Sequence, residues 1–467
     1  MSGPMSLEPG GAHQDTLALR LADTAPPPRR AWAETTLTLR LPGPNEEEVS
    51  RLAAELADRV GPAVHPYEVA ALLEAEGLSA EVIRERYGHP NIFSLAAALY
   101  ERVPRVFPEP ARPPDPWRPD TVRCLLRGLL FALPGLAYLL TAPLWDPGRH
   151  AAGPVVAGIV SWAWGQALGH RAYLRMVAGR REAARTLLVG APLGAAAATA
   201  AGAAAAGGTA VTWVVAAQSL YLGAAGILLV LGRERLLLAA LTPLLAGAAV
   251  LPWWEPGPVV RTALPAAALL ATLGAVAHVL RGARATPAAA DTGARPPLRR
   301  SLPYGLFGLA AAVLVLVEGR SEPYAVIALT VSMGPAEWLL YRFRGLSVTA
   351  LGAASTPAGF LLRSTGVLGL CLAGYLLLLL PVALLTGAAP AALLPLAATL
   401  WTALLLQAFG IAWPPAALCG AAAAAAGTLT LLAPAAGPSA LTLSCGPAAL
   451  GLVLCTLWIL GRPARHA

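Results

Sequence analysis

The chain runs to 467 residues, 56% of them hydrophobic and only 13% charged, with a formal net charge of +8. Soluble domains carry roughly 25% charged residues, so the length does not signify three soluble domains in series. The charge is also unevenly placed: residues 1–127 hold 18 Asp and Glu against 14 Arg, net −4, and the remainder holds 8 acids against 20 Arg, net +12. A basic balance spread over short loops marks membrane orientation rather than nucleic-acid binding, so no nucleic-acid partner is expected.

All 34 basic residues are Arg, and Asn occurs only at Asn45 and Asn91. With abundant Ala, Gly and Pro, this is the coding bias of a high-GC bacterial genome, so a given Arg is not by itself a choice of guanidinium over ammonium. The five cysteines, Cys124, Cys371, Cys419, Cys445 and Cys455, lie in apolar stretches and form no CxxC pair. They read as small buried hydrophobes, and neither a disulfide framework nor a metal site nor any cofactor is expected.

Residues 1–31 are polar and rich in Pro and Ala, a tail expected to be disordered. No apolar run falls within its first 30 or so residues, so no secretory signal is expected. Thr36–Leu41 alternates and reads as a short strand. Residues 32–103 are expected to form a small helical cytoplasmic domain. Asn45 would cap a helix carrying Glu46, Glu47 and Glu48 in its first turn. Further helices are expected over Pro66–Gly77, after a Ser79 cap to about Tyr87, and over Ile92–Val103. His65 and His89 have no carboxylate or Cys at ligand spacing and read as loop and cap residues. The domain could recruit a cytoplasmic partner. Residues 104–122 are a Pro-rich, stiff linker.

From residue 123 the chain is a series of apolar runs, each near the 20 residues that cross a bilayer. Spans are expected near 124–144, 152–170, 186–206, 210–231, 236–253, 259–280, 302–317, 323–341, 364–386, 390–411, 415–434 and 441–461. After the first span, one set of alternate connections, with the C-terminal tail 462–467, carries 17 Arg; the other set carries 3, Arg149, Arg261 and Arg320. By the positive-inside rule both termini would be cytoplasmic, which requires an even number of spans. Trp145, Trp213, Trp253 and Trp254 fall at external span ends.

The basic loop at 281–301 divides the spans into two halves, 123–280 and 302–461. Pro154 to Arg175 lies over Pro323 to Arg344 without a gap, matching Gly165 to Gly334 and Ala167 to Ala336. Leu130-Phe131-Ala132-Leu133 likewise compares with Leu306-Phe307-Gly308-Leu309. The expected fold is an all-α integral membrane bundle of about 12 helices, in two parallel six-helix halves, plus the N-terminal helical domain.

Glu337, in the segment Ser332-Met333-Gly334-Pro335-Ala336-Glu337-Trp338, is the one acid this map places inside a span. An ionised carboxylate in hydrocarbon is costly, so such a group faces a cavity or a partner. As function it would bind a cation, a proton or a substrate hydroxyl. As structure it would reach Arg344 or another internal Arg and anchor its helix. On the matching helix, Trp164, Gln166 and His170 could offer aromatic and hydrogen-bonding faces to a sugar, or simply pack the bundle. Arg127 is expected to snorkel to the cytoplasmic face.

Six-plus-six spans, a polar N-terminal extension, cytoplasmic termini and no HExxH, GxSxG or Walker A sequence resemble the polysaccharide and lipid-linked glycan flippases and exporters. The resemblance covers residues 120–461 and is architectural. Those families share no universal motif, so no residue role transfers, and the N-terminal domain lies outside their usual pattern. It implies transport of a lipid-linked saccharide or other cell-envelope component by alternating access. From their own chemistry, and not from the resemblance, Glu337, Trp338, Ser332, Trp164, Gln166 and His170 are expected along such a path. The alternatives are a non-transporting scaffold or sensor and, less favoured for want of clustered external acids, a membrane-embedded enzyme.

Overall fold

The computed structural model describes residues 44–104, 118–206, 209–286, 296–433 and 439–462. The tail, the expected strand at Thr36–Leu41 and most of the linker lie outside the described residues. So do the middle of the 281–301 loop and the last five residues. Among the described residues every regular element is helical, and they fall into two compact units, 44–104 and 118–462.

The first unit has five helices: α1 (Pro44–Glu55), α2 (Ala57–Val60), α3 (Pro66–Ala75), α4 (Ala80–Glu85) and α5 (Ile92–Arg102). Side chains at His65, Ser79 and Asn91 accept from the first-turn N–H groups of Tyr67 (3.2 Å), Val82 (3.3 Å) and Ser94 (2.9 Å), which fixes where α3, α4 and α5 begin. Leu73, Leu95 and Leu99 are fully buried between them. Asn45 is not a cap: α1 starts one residue earlier, at Pro44, whose fixed φ suits a first helical position. The Asn45 side chain instead lies against Gly88, where φ is +68° and any Cβ would meet Asn45 Nδ2 at 2.7 Å.

The second unit opens with α6 (Thr121–Ala132), α7 (Gly135–Thr141), α8 (Pro147–His150), α9 (Ala152–Met176), α10 (Arg180–Ala206), α11 (Thr209–Val230), α12 (Glu234–Ala240), α13 (Thr242–Val250) and α14 (Pro258–Ala285). A second set follows: α15 (Leu302–Ser321), α16 (Pro323–Val331), α17 (Met333–Gly352), α18 (Pro357–Thr386), α19 (Pro390–Ala408), α20 (Trp413–Leu432) and α21 (Ser439–Leu460). Nine helical stretches among the described residues are long and apolar enough to cross a membrane. Their lipid-facing sides are exposed Leu, Val and Trp, such as Leu385, Leu432 and Trp213. This is a multi-pass, all-helical membrane protein.

Three expected spans fall outside those nine. Residues 152–170 lie in the 25-residue α9, which carries Arg171 and Arg175 in its later turns. Residues 236–253 and 323–341 are each split, as α12–α13 and α16–α17. The breaks coincide with Pro243 and Pro335, as the break between α6 and α7 does with Pro134. Proline has no N–H to give and its ring crowds the carbonyl four residues back, so each frees one backbone acceptor.

Helix pairings recur in the two sets, while α15 also packs on α16 and α19. In the first, α6–α7 lies against α12–α13 and α14, α9 against α10 and α11, and α11 against α10 and α14. In the second, α15 lies against α20 and α21, α16–α17 against α18 and α19, and α19 against α18 and α21. Between the sets the contacts cross over: α9 packs on α15, and α6 packs on α16 and α17. A two-fold exchange of the sets carries one of these seams onto the other.

Candidate functional site

The α9–α15 seam joins two unbroken helices, with Gly305 and Gly308 of α15 close to side chains and to the Ala163 backbone of α9. A Cβ at Gly308 would meet Gln166 Cγ at 2.8 Å, and one at Gly305 would meet Ala167 Cβ at 3.2 Å. One turn on, the His170 imidazole stacks on the Tyr304 ring, centroids 3.8 Å apart and planes 16° from parallel. His170 Nδ1 lies 3.1 Å from Ser301 Oγ, and Arg171 donates to the Pro296 carbonyl (3.2 Å).

The α6–α17 seam joins two broken helices through backbone and charge. A Cβ at Gly128 would lie 2.8 Å from Gly334 N and 2.9 Å from Val331 O. Val331 O is the carbonyl that Pro335 leaves without a helical partner. Absence of a side chain at Gly128 therefore lets α6 close onto the break itself. Ser332 Oγ donates to Leu329 O (2.7 Å) and sits 3.0 Å from the Tyr375 hydroxyl, and the Trp401 indole N–H donates to Ala336 O (3.2 Å). The break is thus braced by polar groups from α18 and α19.

Beside the Gly128 contact lies an ion-pair node. Arg127 donates to Glu337 (2.5 Å) from one side of its guanidinium and to Glu234 (2.9 Å) from the other; Arg123 also donates to Glu234 (2.8 Å). Arg127, Glu234 and Glu337 are all buried. One guanidinium therefore links α6 to its own set, through α12, and to the other set, through α17. Arg127 does not snorkel: two carboxylates within reach satisfy it where it stands. Glu337 pairs with Arg127 rather than Arg344, which is two turns further along α17 and lies over the Phe409 ring at 4.5 Å. Trp338 donates to Thr121 Oγ1 across the same seam (3.2 Å).

Glu337 is also not the one acid inside the bundle. Glu182 and Glu234 are buried near the starts of α10 and α12. Glu318 was expected in a loop, but α15 continues to Ser321 and leaves it 1% exposed. Its Oε1 has no hydrogen-bond partner among the described residues.

The six expected path residues therefore separate. Gln166 and His170 sit on one seam, Glu337 and Trp338 on the other. Ser332 turns toward α18, and Trp164 toward α10, where its indole donates to Gly190 O (2.8 Å). Trp164 also walls a groove of about 670 Å³ between α9, α10 and the start of α15. Arg171, Arg175, Glu182 and Arg185 line one end of it, and Leu168, Val189 and Leu193 the other. Sequence reasoning missed this groove, although Arg171, Arg175, Arg185 and their apolar neighbours at helical spacing were readable.

No metal-binding group of three or more His, Cys, Asp or Glu occurs among the described residues. Comparison with known proteins finds no matching family model, no matching curated protein and no matching solved structure. What the chain does must rest on its own geometry.

Proposed function

We propose that the protein is a transporter of the flippase type, moving a lipid-linked saccharide or another amphipathic cell-envelope component by alternating access. The observation that carries this reading is the set of helix pairings shared by α6–α14 and α15–α21, with two crossed seams between them. Counting α9 and the two broken pairs α12–α13 and α16–α17 as spans gives twelve, six per half in parallel orientation. Parallel repeats about an axis normal to the membrane build transporters whose halves rock around a central path. In this reading α9 and α15 form the fixed seam, and α6 and α17 the seam that opens.

Both termini and the 44–104 unit would lie in the cytoplasm, on the arginine-rich side. Two features support a common side for those connections: the start of α6 bonds to the starts of α12 and α17, and the end of α9 bonds to the start of α10 and to Pro296. On the opposite side Arg261 donates to Leu140 O, and Tyr138 to Gln218.

The direct test is reconstitution of the full chain in liposomes with a fluorescent polyprenyl-phosphate-linked saccharide. Protein-dependent loss of dye accessibility to an external quencher, slowed when Arg127 is replaced, supports transport. Accessibility equal to that of empty liposomes rejects it. A second reading has one observation in its favour: Glu337 is held in a buried ion pair rather than offered to a path. On that reading the bundle is a rigid scaffold and the 44–104 unit recruits a cytoplasmic protein. The scaffold reading expects no translocation and no motion at either seam.

A further inference from the structure

The groove between α9, α10 and the start of α15 is graded along its length. Arg175, Arg171, Leu168 and Trp164 follow one another down α9, and Glu182, Arg185, Val189 and Leu193 down α10. At 1.5 Å per residue, the charged end and the apolar end are about 12–16 Å apart. That is the distance over which a bilayer passes from headgroup to acyl chain.

The charged end is a built site. Arg175 and Arg185 both donate to Glu182 (2.6 Å each), which holds their guanidiniums beside one another. Arg171 is fixed by the Pro296 carbonyl (3.2 Å). The lining thus sets three guanidiniums against one carboxylate. A guanidinium carries five N–H donors in a fork that matches phosphate oxygens, so none of the three is exhausted by these bonds. Arg175 is itself only 8% exposed.

The apolar end is open. Trp164, Val189 and Leu193 line it and remain exposed. Gly190 and Gly194 allow this floor to form: a Cβ on either would collide with the side chains of Leu168 or Trp164, which lie across α10.

We propose that this groove binds an anionic phospholipid, its phosphate between Arg171, Arg175 and Arg185 and its acyl chain along Trp164, Val189 and Leu193. Charge complementarity selects the phosphate, and the continuous apolar floor selects a lipid over a free anion. The proposal goes beyond transport: it concerns occupancy and holds whether or not anything is translocated.

The test uses the full chain in nanodiscs of mixed phosphatidylglycerol and phosphatidylcholine, with retained lipid counted by native mass spectrometry after release into detergent. Wild type is expected to retain phosphatidylglycerol over phosphatidylcholine, and millimolar inorganic phosphate should not displace it. The R171Q/R185Q variant is expected to weaken that retention about 30-fold, the usual loss for two interfacial arginines. The R171K/R185K variant keeps the charge and should keep most of the preference. If R171Q/R185Q fails to fold, Leu193→Trp fills the floor and should expel the lipid with the arginines intact. Equal retention of both lipids, unchanged retention in R171Q/R185Q and in Leu193→Trp, or displacement by inorganic phosphate alone each overturns the proposal.

Discussion

The two seams between the halves are related by exchange of the helix sets, yet they are built differently. At α9–α15 both helices are continuous, glycines of α15 lie against both side chains and the Ala163 backbone of α9, and the polar element is a His170–Tyr304 stack with Ser301 beside it. At α6–α17 both helices are broken near a proline, the contact is backbone on backbone, and the polar element is a buried ion pair. Side-chain packing adjusts by rotamer and resists large movement. The α6–α17 contact is close backbone packing between broken helices, bridged by the Arg127–Glu337 ion pair and the Trp338–Thr121 hydrogen bond. In the transport reading proposed above, this difference would make α9–α15 the fixed seam and α6–α17 the moving one.

The strongest way to sharpen that contrast is to remove Arg127. Arg127→Ala leaves Glu234 and Glu337 buried without their common partner. Orphaning a buried charge costs about 3–5 kcal/mol, so a clear fall in thermal midpoint of the detergent-solubilised protein is expected. His170→Ala at the other seam loses a ring stack of about 0.5–1.5 kcal/mol beyond its buried area and should lower the midpoint much less. Equal shifts would erase the distinction.

Glycines give the next effect. Gly128→Ala drives a Cβ into backbone atoms of Gly334 and Val331, which cannot rotate away. Overpacking of that kind costs about 1–3 kcal/mol. Gly305→Ala meets the Ala167 methyl at 3.2 Å and the Ala163 carbonyl at an ordinary 3.4 Å, and should fall near the bottom of that range or below it. Thermal midpoints of the two variants, measured side by side, check this.

Glu318→Gln should be neutral or stabilising. The carboxyl is buried with one oxygen unpartnered, and replacing it with an uncharged isostere removes the cost of an ionised group there. A large loss of midpoint would mean that Glu318 has a stabilising role the geometry does not display.

The smallest effect lies in the N-terminal unit. Burial first, and the Arg102 charge second, hold the His89 imidazole below its ordinary value of 6.5. Below that value the unfolded unit binds more protons than the folded one. The stability that neutral His89 contributes is therefore complete above about pH 6.5 and is lost as pH falls toward the folded-state value. Amide-exchange protection of α4 and α5 in the full chain, corrected for intrinsic rates, should be lower at pH 5 than at pH 7. In His89→Gln that difference should shrink.

Much of the membrane fold could be read from the sequence because hydrocarbon imposes a length and a composition on each helix. The start of α4 was readable because a single side chain, Ser79, makes the cap, whereas the Asn91 cap of α5 was not singled out. The breaks within 236–253 and 323–341 were not taken from Pro243 and Pro335, since membrane helices tolerate proline when neighbours satisfy the freed groups. The residues packed around the second break, Gly128, Tyr375 and Trp401, are distant in sequence. Glu337 stood out as a costly residue, but its partner Arg127 lies 210 positions away and no spacing rule reaches that far. Glu318 was missed by one residue of span boundary, the least certain feature of a hydropathy reading. The proposed half-repeat rests in sequence on only a few matched glycines and alanines, and in the structure on helix pairings that recur in both sets.

One distance measurement tests the assignment of fixed and moving seams most directly. Spin labels at Val122 and Arg342 straddle the α6–α17 seam, and labels at Val177 and Leu298 straddle α9–α15; all four positions are exposed. Pulsed dipolar spectroscopy on the reconstituted protein, with Arg127 intact and with Arg127→Gln, is expected to show the first distance lengthening and broadening while the second stays fixed. A first distance that does not change, or a second that moves with it, would contradict the hinged two-half arrangement and leave the bundle as a rigid scaffold.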